Sequence, residues 1–141
     1  MKFMVYALKQ DEATLATAKK AFGMLKGACG NRVLAKKLGI KAGSKADVIV
    51  TIGGDGTILA AAREHPGSLI FGIHKGEVGF LSEIGASELE KLDLLVSGKY
   101  SVEARSRVAG FYNGKKIGEG LKKFGPVEVY DTDGNPKSSR K

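Results

Sequence analysis

Gly53-Gly54-Asp55-Gly56-Thr57 places three glycines, a carboxylate and a hydroxyl in five residues, between the apolar run Val48-Ile49-Val50-Thr51-Ile52 and the alanine-rich stretch Ile58-Leu59-Ala60-Ala61-Ala62. That order reads as strand, turn and helix. Glycine tolerates positive φ and has no side chain to hold a ligand off the backbone. The N–H groups of Gly53, Gly54 and Gly56 can therefore approach phosphate oxygens. The following helix turns its positive end toward the same point. Thr57 either caps that helix or adds a hydroxyl donor. A carboxylate beside a phosphate is repulsive unless it has chemistry to perform, and two roles suit Asp55: holding a magnesium ion, or accepting the proton of an attacking hydroxyl in phosphoryl transfer. The plain alternative is a tight turn with a solvent-facing aspartate.

A second loop, His74-Lys75-Gly76-Glu77-Val78-Gly79-Phe80-Leu81, follows another apolar run, Ser68 to Ile73. Gly76 and Gly79 shape it at the same sheet edge as Asp55, while Phe80 and Leu81 pack back toward the core. Lys75 reads equally as a phosphate contact and as a solvated loop lysine. No other His or Cys clusters with His74, so a metal site made of protein side chains alone is not expected. Two common phosphate-binding templates fail here. No Walker A lysine follows the first loop, and a G-x-G-x-x-G pattern begun at Gly54 and Gly56 meets Leu59 where glycine is required.

The elements that must carry these loops are legible in the apolar pattern. Lys2 to Leu8 reads as a strand apolar on both faces, as in a buried parallel sheet. Asp11 to Ala28 reads as a helix with Asp11 as N-cap, an apolar stripe of Leu15, Ala18, Phe22, Leu25 and Cys29, and a stop at Gly30. Residues 31–40 are ambiguous between helix and strand. Asp47 to Ile52 is the clearest strand, Thr57 to Glu64 a short helix closed before Pro66, and Ser68 to Ile73 a further strand. Ser87 and Glu90 form an S-x-x-E capping box opening a helix to Val96. Strands alternating with helices mean a parallel sheet with helices on its faces. Beyond Gly98 the pattern changes. Tyr100, Val102 and Ala104 alternate with polar residues as in a half-exposed antiparallel strand, and Asn113-Gly114 signals a hairpin turn. Asp131 to Lys141 is polar and charged and is expected to be disordered.

Composition is that of an ordinary globular chain, 43% hydrophobic and 27% charged over 141 residues. No apolar run approaches the roughly 20 residues needed to span a bilayer, and the first residues lack a secretory cleavage pattern. Cys29 is the one cysteine, which excludes an intrachain disulfide. A cytoplasmic location follows as the expectation. Net charge is +8, with the excess at both ends of the chain. It reads first as a solvated surface and second as attraction for polyanionic nucleotides. Lys and Arg are not interleaved with aromatics as in single-strand binders, so neither nucleic acid nor membrane is expected as a partner.

Taken together, the two loops resemble the NAD kinase family. The resemblance rests on GGDGT followed by Ala61-Ala62-Arg63, on Gly72 to Leu81 set against a pattern close to N-x-G-x-x-G-F-L, and on Gly98-Lys99-Tyr100-Ser101-Val102-Glu103-Ala104-Arg105, which is similar to the family's linker into its second domain. It covers roughly residues 1–121. GGDGT alone also occurs in lipid kinases of the diacylglycerol type. The resemblance implies phosphoryl transfer from ATP, or in some members polyphosphate, to the 2′-hydroxyl of the adenosine ribose of NAD, with Mg2+ accompanying the donor. It implies that Gly53, Gly54, Gly56 and Thr57 hold phosphates, that Asp55 accepts the proton, and that Phe80 lies near the acceptor nucleotide. His74 stands where the family usually has asparagine, Lys122-Lys123 follow Leu121 where an Asn-Glu or Asn-Asp pair is expected, and the second domain's T-P-T-G-S-type loop is absent.

The expected fold is thus an α/β parallel sheet sandwiched by helices, NAD kinase N-terminal domain-like, followed by a β-hairpin that starts a missing or reduced all-β second domain. Residues 1–98 form the nucleotide-phosphate-binding domain and residues 99–141 the hairpin remnant with its tail. The candidate site is Asp55 as the catalytic residue, with Gly53, Gly54, Gly56, Thr57, His74, Lys75, Gly76, Gly79 and Phe80 around the nucleotides. The rival functions are a GGDGT kinase acting on a lipid or sugar and a non-catalytic nucleotide-binding or assembly module. An unpaired hairpin edge also predicts a homo-oligomer.

Overall fold

The computed structural model describes residues 1–76, 81–103, 106–112 and 115–122. The chain divides into two compact units, Met1–Lys99 and Tyr100–Lys141. In the first, five strands form one parallel sheet: β1 (Phe3–Ala7), β2 (Cys29–Gly30), β3 (Val48–Ile52), β4 (Leu69–His74) and β5 (Ile84–Gly85), in the spatial order β2-β1-β3-β4-β5. The central strands β1 and β3 are buried along their whole length. This is what uninterrupted Val/Ile-rich runs covered on both faces require.

Helix α1 (Glu12–Met24) packs on β1 and β3, flanked by α2 (Arg32–Leu38) and by a 3₁₀ helix (Ala86–Lys91) that runs into α4 (Leu92–Val96). Helix α3 (Asp55–Glu64) packs on the other face, where Ala61 joins Met4, Tyr6 and Ile49 in one buried cluster. The buried Tyr6 hydroxyl donates to Glu64, pinning the C-terminal end of α3 to the sheet.

Several expectations are corrected. Cys29 is not on a helix. The helix ends at Met24, Gly27 turns the chain with φ 74°, and Cys29 pairs with Met4 as part of β2. The buried face of α1 is Thr14, Thr17, Ala18 and Ala21, whereas Leu15 and Phe22 are only half-buried. The two threonines bury well because their hydroxyls are used locally, Thr17 donating to the Ala13 carbonyl at 3.0 Å and Thr14 to the Asp11 carboxylate. The ambiguous stretch 31–40 is helix α2. At the last helix the carboxylate that caps is Glu88, accepting the Gly85 N–H at 3.0 Å, not Glu90. Pairing of Gly85 with His74 fixes the start of that helix earlier than the S-x-x-E pattern suggests.

The second unit holds a two-stranded antiparallel sheet, β6 (Ser106–Tyr112) with β7 (Lys115–Lys122). Tyr100 to Glu103 carry no regular strand, so the strand expected from Tyr100 begins later. The register closes at Tyr112↔Lys115, with a shift between Gly110 and Phe111. The expected turn residues Asn113-Gly114, and the tail from residue 123 onward, lie outside the described residues.

The positive charge is concentrated. Between Ala13 and Ala46 there are eight cations (Lys19, Lys20, Lys26, Arg32, Lys36, Lys37, Lys41 and Lys45) and no carboxylate. All eight are exposed.

Candidate functional site

The sheet order makes one place in the α/β unit different from all others. Chain order reverses between β1 and β3, and open parallel sheets bind ligands in the crevice at the carboxyl ends of the strands at such a reversal. There α1 leaves β1 toward one face and α3 leaves β3 toward the other. The loop from Gly53 to Thr57 lies at this point.

Gly53 adopts φ 148°, and a Cβ built on it would meet Thr57 Oγ1 at 2.5 Å. Its N–H donates to the Ile73 carbonyl at 3.0 Å, carrying the β3–β4 ladder one residue past the strand. Gly54 is the N-cap of α3 and makes no side-chain cap; its carbonyl accepts from the N–H of Thr57 at 3.1 Å and of Ile58 at 3.4 Å. Around Gly54 and Gly56 there is open space among the described residues, with none of their atoms within 4 Å of a Cβ built on either. Gly53 is therefore required by the fold, while Gly54 and Gly56 leave the start of the helix uncovered, as a phosphate approaching first-turn N–H groups needs. Asp55, half-buried in the first turn of α3, accepts the Leu81 N–H on Oδ1 at 3.0 Å. The second loop thus reaches back to the first.

That second loop leaves β4 at His74. The His74 ring packs against Gly85, and its buried Nδ1 has no hydrogen-bond partner among the described residues. Lys75 directs its ammonium to the Asp11 carboxylate and, at 2.8 Å, to Thr14 Oγ1, both at the start of α1. The Lys75 ammonium, with the Thr14 hydroxyl behind it, holds the Asp11 carboxyl down at about 2. Gly76 turns the chain with φ 89°. Gly79 and Phe80 lie outside the described residues. The structure therefore brings Gly53, Gly54, Asp55, Gly56, Thr57, His74, Lys75 and Gly76 to one edge of the sheet, with Asp55 joined to the second loop through Leu81.

Four residues contribute beyond what the sequence pattern signals. Asp11 reads there only as a cap and Thr14 carries no signal, yet together they hold Lys75. Asn31 is buried and closes the end of β1, its Nδ2 donating to the Ala7 carbonyl at 2.8 Å and its Oδ1 accepting the Ala7 N–H at 3.4 Å. It thereby fixes where the Leu8–Asp11 connection begins. Glu83 grips Gly72 through two hydrogen bonds. No sequence spacing announces either residue, because both act on backbone groups far away in the chain.

A family model described as the ATP-NAD kinase N-terminal domain matches residues 6–100. The chain belongs to the NAD kinase family. Among curated NAD kinases, that of Marinobacter nauticus is 38% identical over 96 residues, covering 64% of this chain and 32% of that protein. That of Chlorobium limicola is 30% identical over 120 residues, covering 77% and 42%. Yeast NADH kinase complexed with NADH superposes with a TM-score of 0.65 at 16% identity, over 85% of this chain and 46% of that one. An NAD kinase from Archaeoglobus fulgidus in complex with ATP gives 0.55 at 22% identity, over 82% and 45%. At those identities the two structures establish a shared fold. The chain spans less than half the length of each of these relatives. The family-model match ends at residue 100, ahead of β6.

Proposed function

We propose that this chain is the nucleotide-phosphate half of an NAD kinase, acting with ATP (or polyphosphate) as donor and the 2′-hydroxyl of the adenosine ribose of NAD as acceptor, to give NADP. The observation that carries the reading is the placement of Asp55. It sits in the first turn of α3, at the carboxyl edge of the sheet, with Oδ1 held by the Leu81 N–H and a helix start beside it that no described residue covers. Gly53, Gly54, Gly56 and Thr57 shape the phosphate-binding turn, and His74, Lys75, Gly76, Gly79 and Phe80 border the nucleotides. In the reaction the ribose 2′-oxygen bonds to phosphorus, the bond from phosphorus to the donor's bridging oxygen breaks, and the hydroxyl proton passes to the Asp55 carboxylate, leaving ADP when ATP is the donor.

No group of three or more His, Cys, Asp or Glu among the described residues is arranged to hold a metal ion. Mg2+ arriving on the phosphates commonly keeps its waters and needs only one or two carboxylates. Asp55 is the carboxylate positioned to meet it, and the ion supplies neutralisation of the phosphate charge. No helix of the described residues is long and apolar enough to cross a membrane, and the reading takes the cytoplasm as its compartment. Residues 99–141 start a second domain whose hairpin pairs between chains. A monomeric mass in dilute solution would count against that pairing.

The test is NADP formation by the purified chain from ATP, Mg2+ and NAD, with Asp55→Asn as control. Removing a general base costs about 10²–10⁴-fold in rate, with thermal stability nearly unchanged. Equal turnover by the variant would remove Asp55 from the mechanism. A panel of lipid and sugar acceptors tests the acceptor. One second reading is a nucleotide-binding module that does not turn over, favoured by Lys122 and Lys123 after Leu121, where the family resemblance implies an Asn-Glu or Asn-Asp pair. It predicts ATP binding without product on any acceptor.

A further inference from the structure

We infer that Glu83 is the positioning residue for Asp55, acting through the backbone of Leu81; the inference rests on the reading of Asp55 as proton acceptor. Gly72 lies on β4, and both of its main-chain groups are taken by this one residue. The Glu83 N–H donates to the Gly72 carbonyl at 2.9 Å, and Glu83 Oε2 accepts the Gly72 N–H at 2.6 Å. The second bond substitutes for a missing strand. β5 begins only at Ile84, paired with Ile73, so no β5 carbonyl stands opposite the Gly72 N–H. An unpaired N–H at that buried position costs about 1–3 kcal/mol in general, and the carboxylate removes the cost by bringing the chain against β4.

The same place is unusually close. A Cβ on Gly72 would meet Ile58 Cδ1 of α3 at 2.7 Å and the Ser82 Cα at 3.1 Å. Ser82 therefore rests on the bare backbone of Gly72, held there by its neighbour Glu83. The next residue back, Leu81, is thereby fixed where its N–H meets Asp55 Oδ1 at 3.0 Å. Asp55 sits on α3 and Leu81 on the β4–β5 connection, so the two meet from different elements. The Glu83–Gly72 clamp supplies the reference. One oxygen of the Asp55 carboxylate is then directed by a fixed donor, which sets the plane in which the carboxylate meets a hydroxyl.

The experiment compares Glu83→Ala, Glu83→Gln and Gly72→Ala with the wild-type chain by amide hydrogen exchange and by the carboxyl ¹³C resonance of Asp55. Glu83→Ala is expected to speed Leu81 exchange about tenfold, the factor for losing one hydrogen bond, and to move the Asp55 resonance. Glu83→Gln, whose amide oxygen still accepts the Gly72 N–H, returns both to wild type. Gly72→Ala displaces Ser82 with Glu83 intact and reproduces the alanine effect, so it decides the matter if Glu83→Ala does not fold. Where the chain turns over, Glu83→Ala lowers kcat with KM for NAD unchanged. Unaltered Leu81 exchange and Asp55 resonance in folded Glu83→Ala or Gly72→Ala would overturn the inference. Neither readout depends on catalysis, so full turnover by Asp55→Asn would sink the proposed mechanism separately.

Discussion

Lys75 reaches Asp11 across the end of a strand that belongs to neither of them. Lys75 follows β4 and Asp11 follows β1, and β3 lies between those strands in the sheet. The pair therefore spans the carboxyl end of β3, where Gly53 begins the glycine loop. It ties the β1–α1 and β4–β5 connections together on the α1 side of the crevice, as the Leu81–Asp55 hydrogen bond ties the β4–β5 connection to α3 on the other side.

This pairing has a defined pH window. Asp11 is lowered from the ordinary 3.8 to about 2, with the Lys75 hydrogen bond the leading cause. A depressed folded-state value stabilises the fold above the unfolded value and is lost as pH falls toward the folded one. The melting-temperature gap between wild type and Asp11→Asn should be present at neutral pH and shrink between pH 4 and about 2. The pair is solvent-accessible, so the gap should be small and should narrow further in high salt. A gap that persists unchanged at pH 2 would show that Asp11 acts through something other than Lys75.

The glycines of the first loop should separate in mutagenesis. Gly53→Ala forces a side chain onto Thr57 Oγ1 in a φ region L-residues rarely occupy, at a cost of about 1–3 kcal/mol in urea unfolding. Gly54→Ala meets nothing within 4 Å among the described residues. It should unfold near the wild-type midpoint while weakening ATP binding in calorimetry. Equal ATP affinity in Gly54→Ala would show that phosphates do not approach there.

Asn31→Ala should act at a distance. It orphans the N–H and carbonyl of Ala7, both served by the Asn31 side chain, and unpaired buried groups cost about 1–3 kcal/mol each. Exchange of the Ala7 amide should accelerate well before global unfolding. Unchanged protection would mean that the end of β1 is held by its neighbouring strands alone.

The central strands were legible in the sequence because full burial demands side chains of one kind: Val48, Ile49, Val50 and Ile52 leave little room for another reading. The strands that were missed, β2 and β5, have two residues each and pair through backbone alone, so their side chains carry no signal. Cys29 sits at helical spacing from Leu25, and only Gly27 turning to φ 74° shows that the helix has already ended. Thr14 and Thr17 hide among buried residues because they satisfy their own hydroxyls, a device that composition cannot reveal. Within the site, the Gly53 turn was readable because a strand that passes into a helix through φ 148° requires glycine. Leu81 contributes a main-chain N–H, which any residue type except proline carries, and Glu83 serves a backbone partner eleven residues away.

The outermost strands of the sheet have a consequence for the chain's behaviour among its own copies. β1, β3 and β4 are apolar runs of the kind that stack into fibres when their backbones are bared. At one margin β2 offers only Cys29 and Gly30, and its outer side is already occupied, with the Gly30 N–H donating to Lys41 at 2.8 Å and the Gly43 N–H to Gly30 at 3.0 Å. At the other, β5 ends after Gly85 and the chain turns straight into a helix. A neighbouring molecule thus finds too short a row of backbone groups at either margin to lay down a sixth strand, so this sheet is a poor template for aggregation.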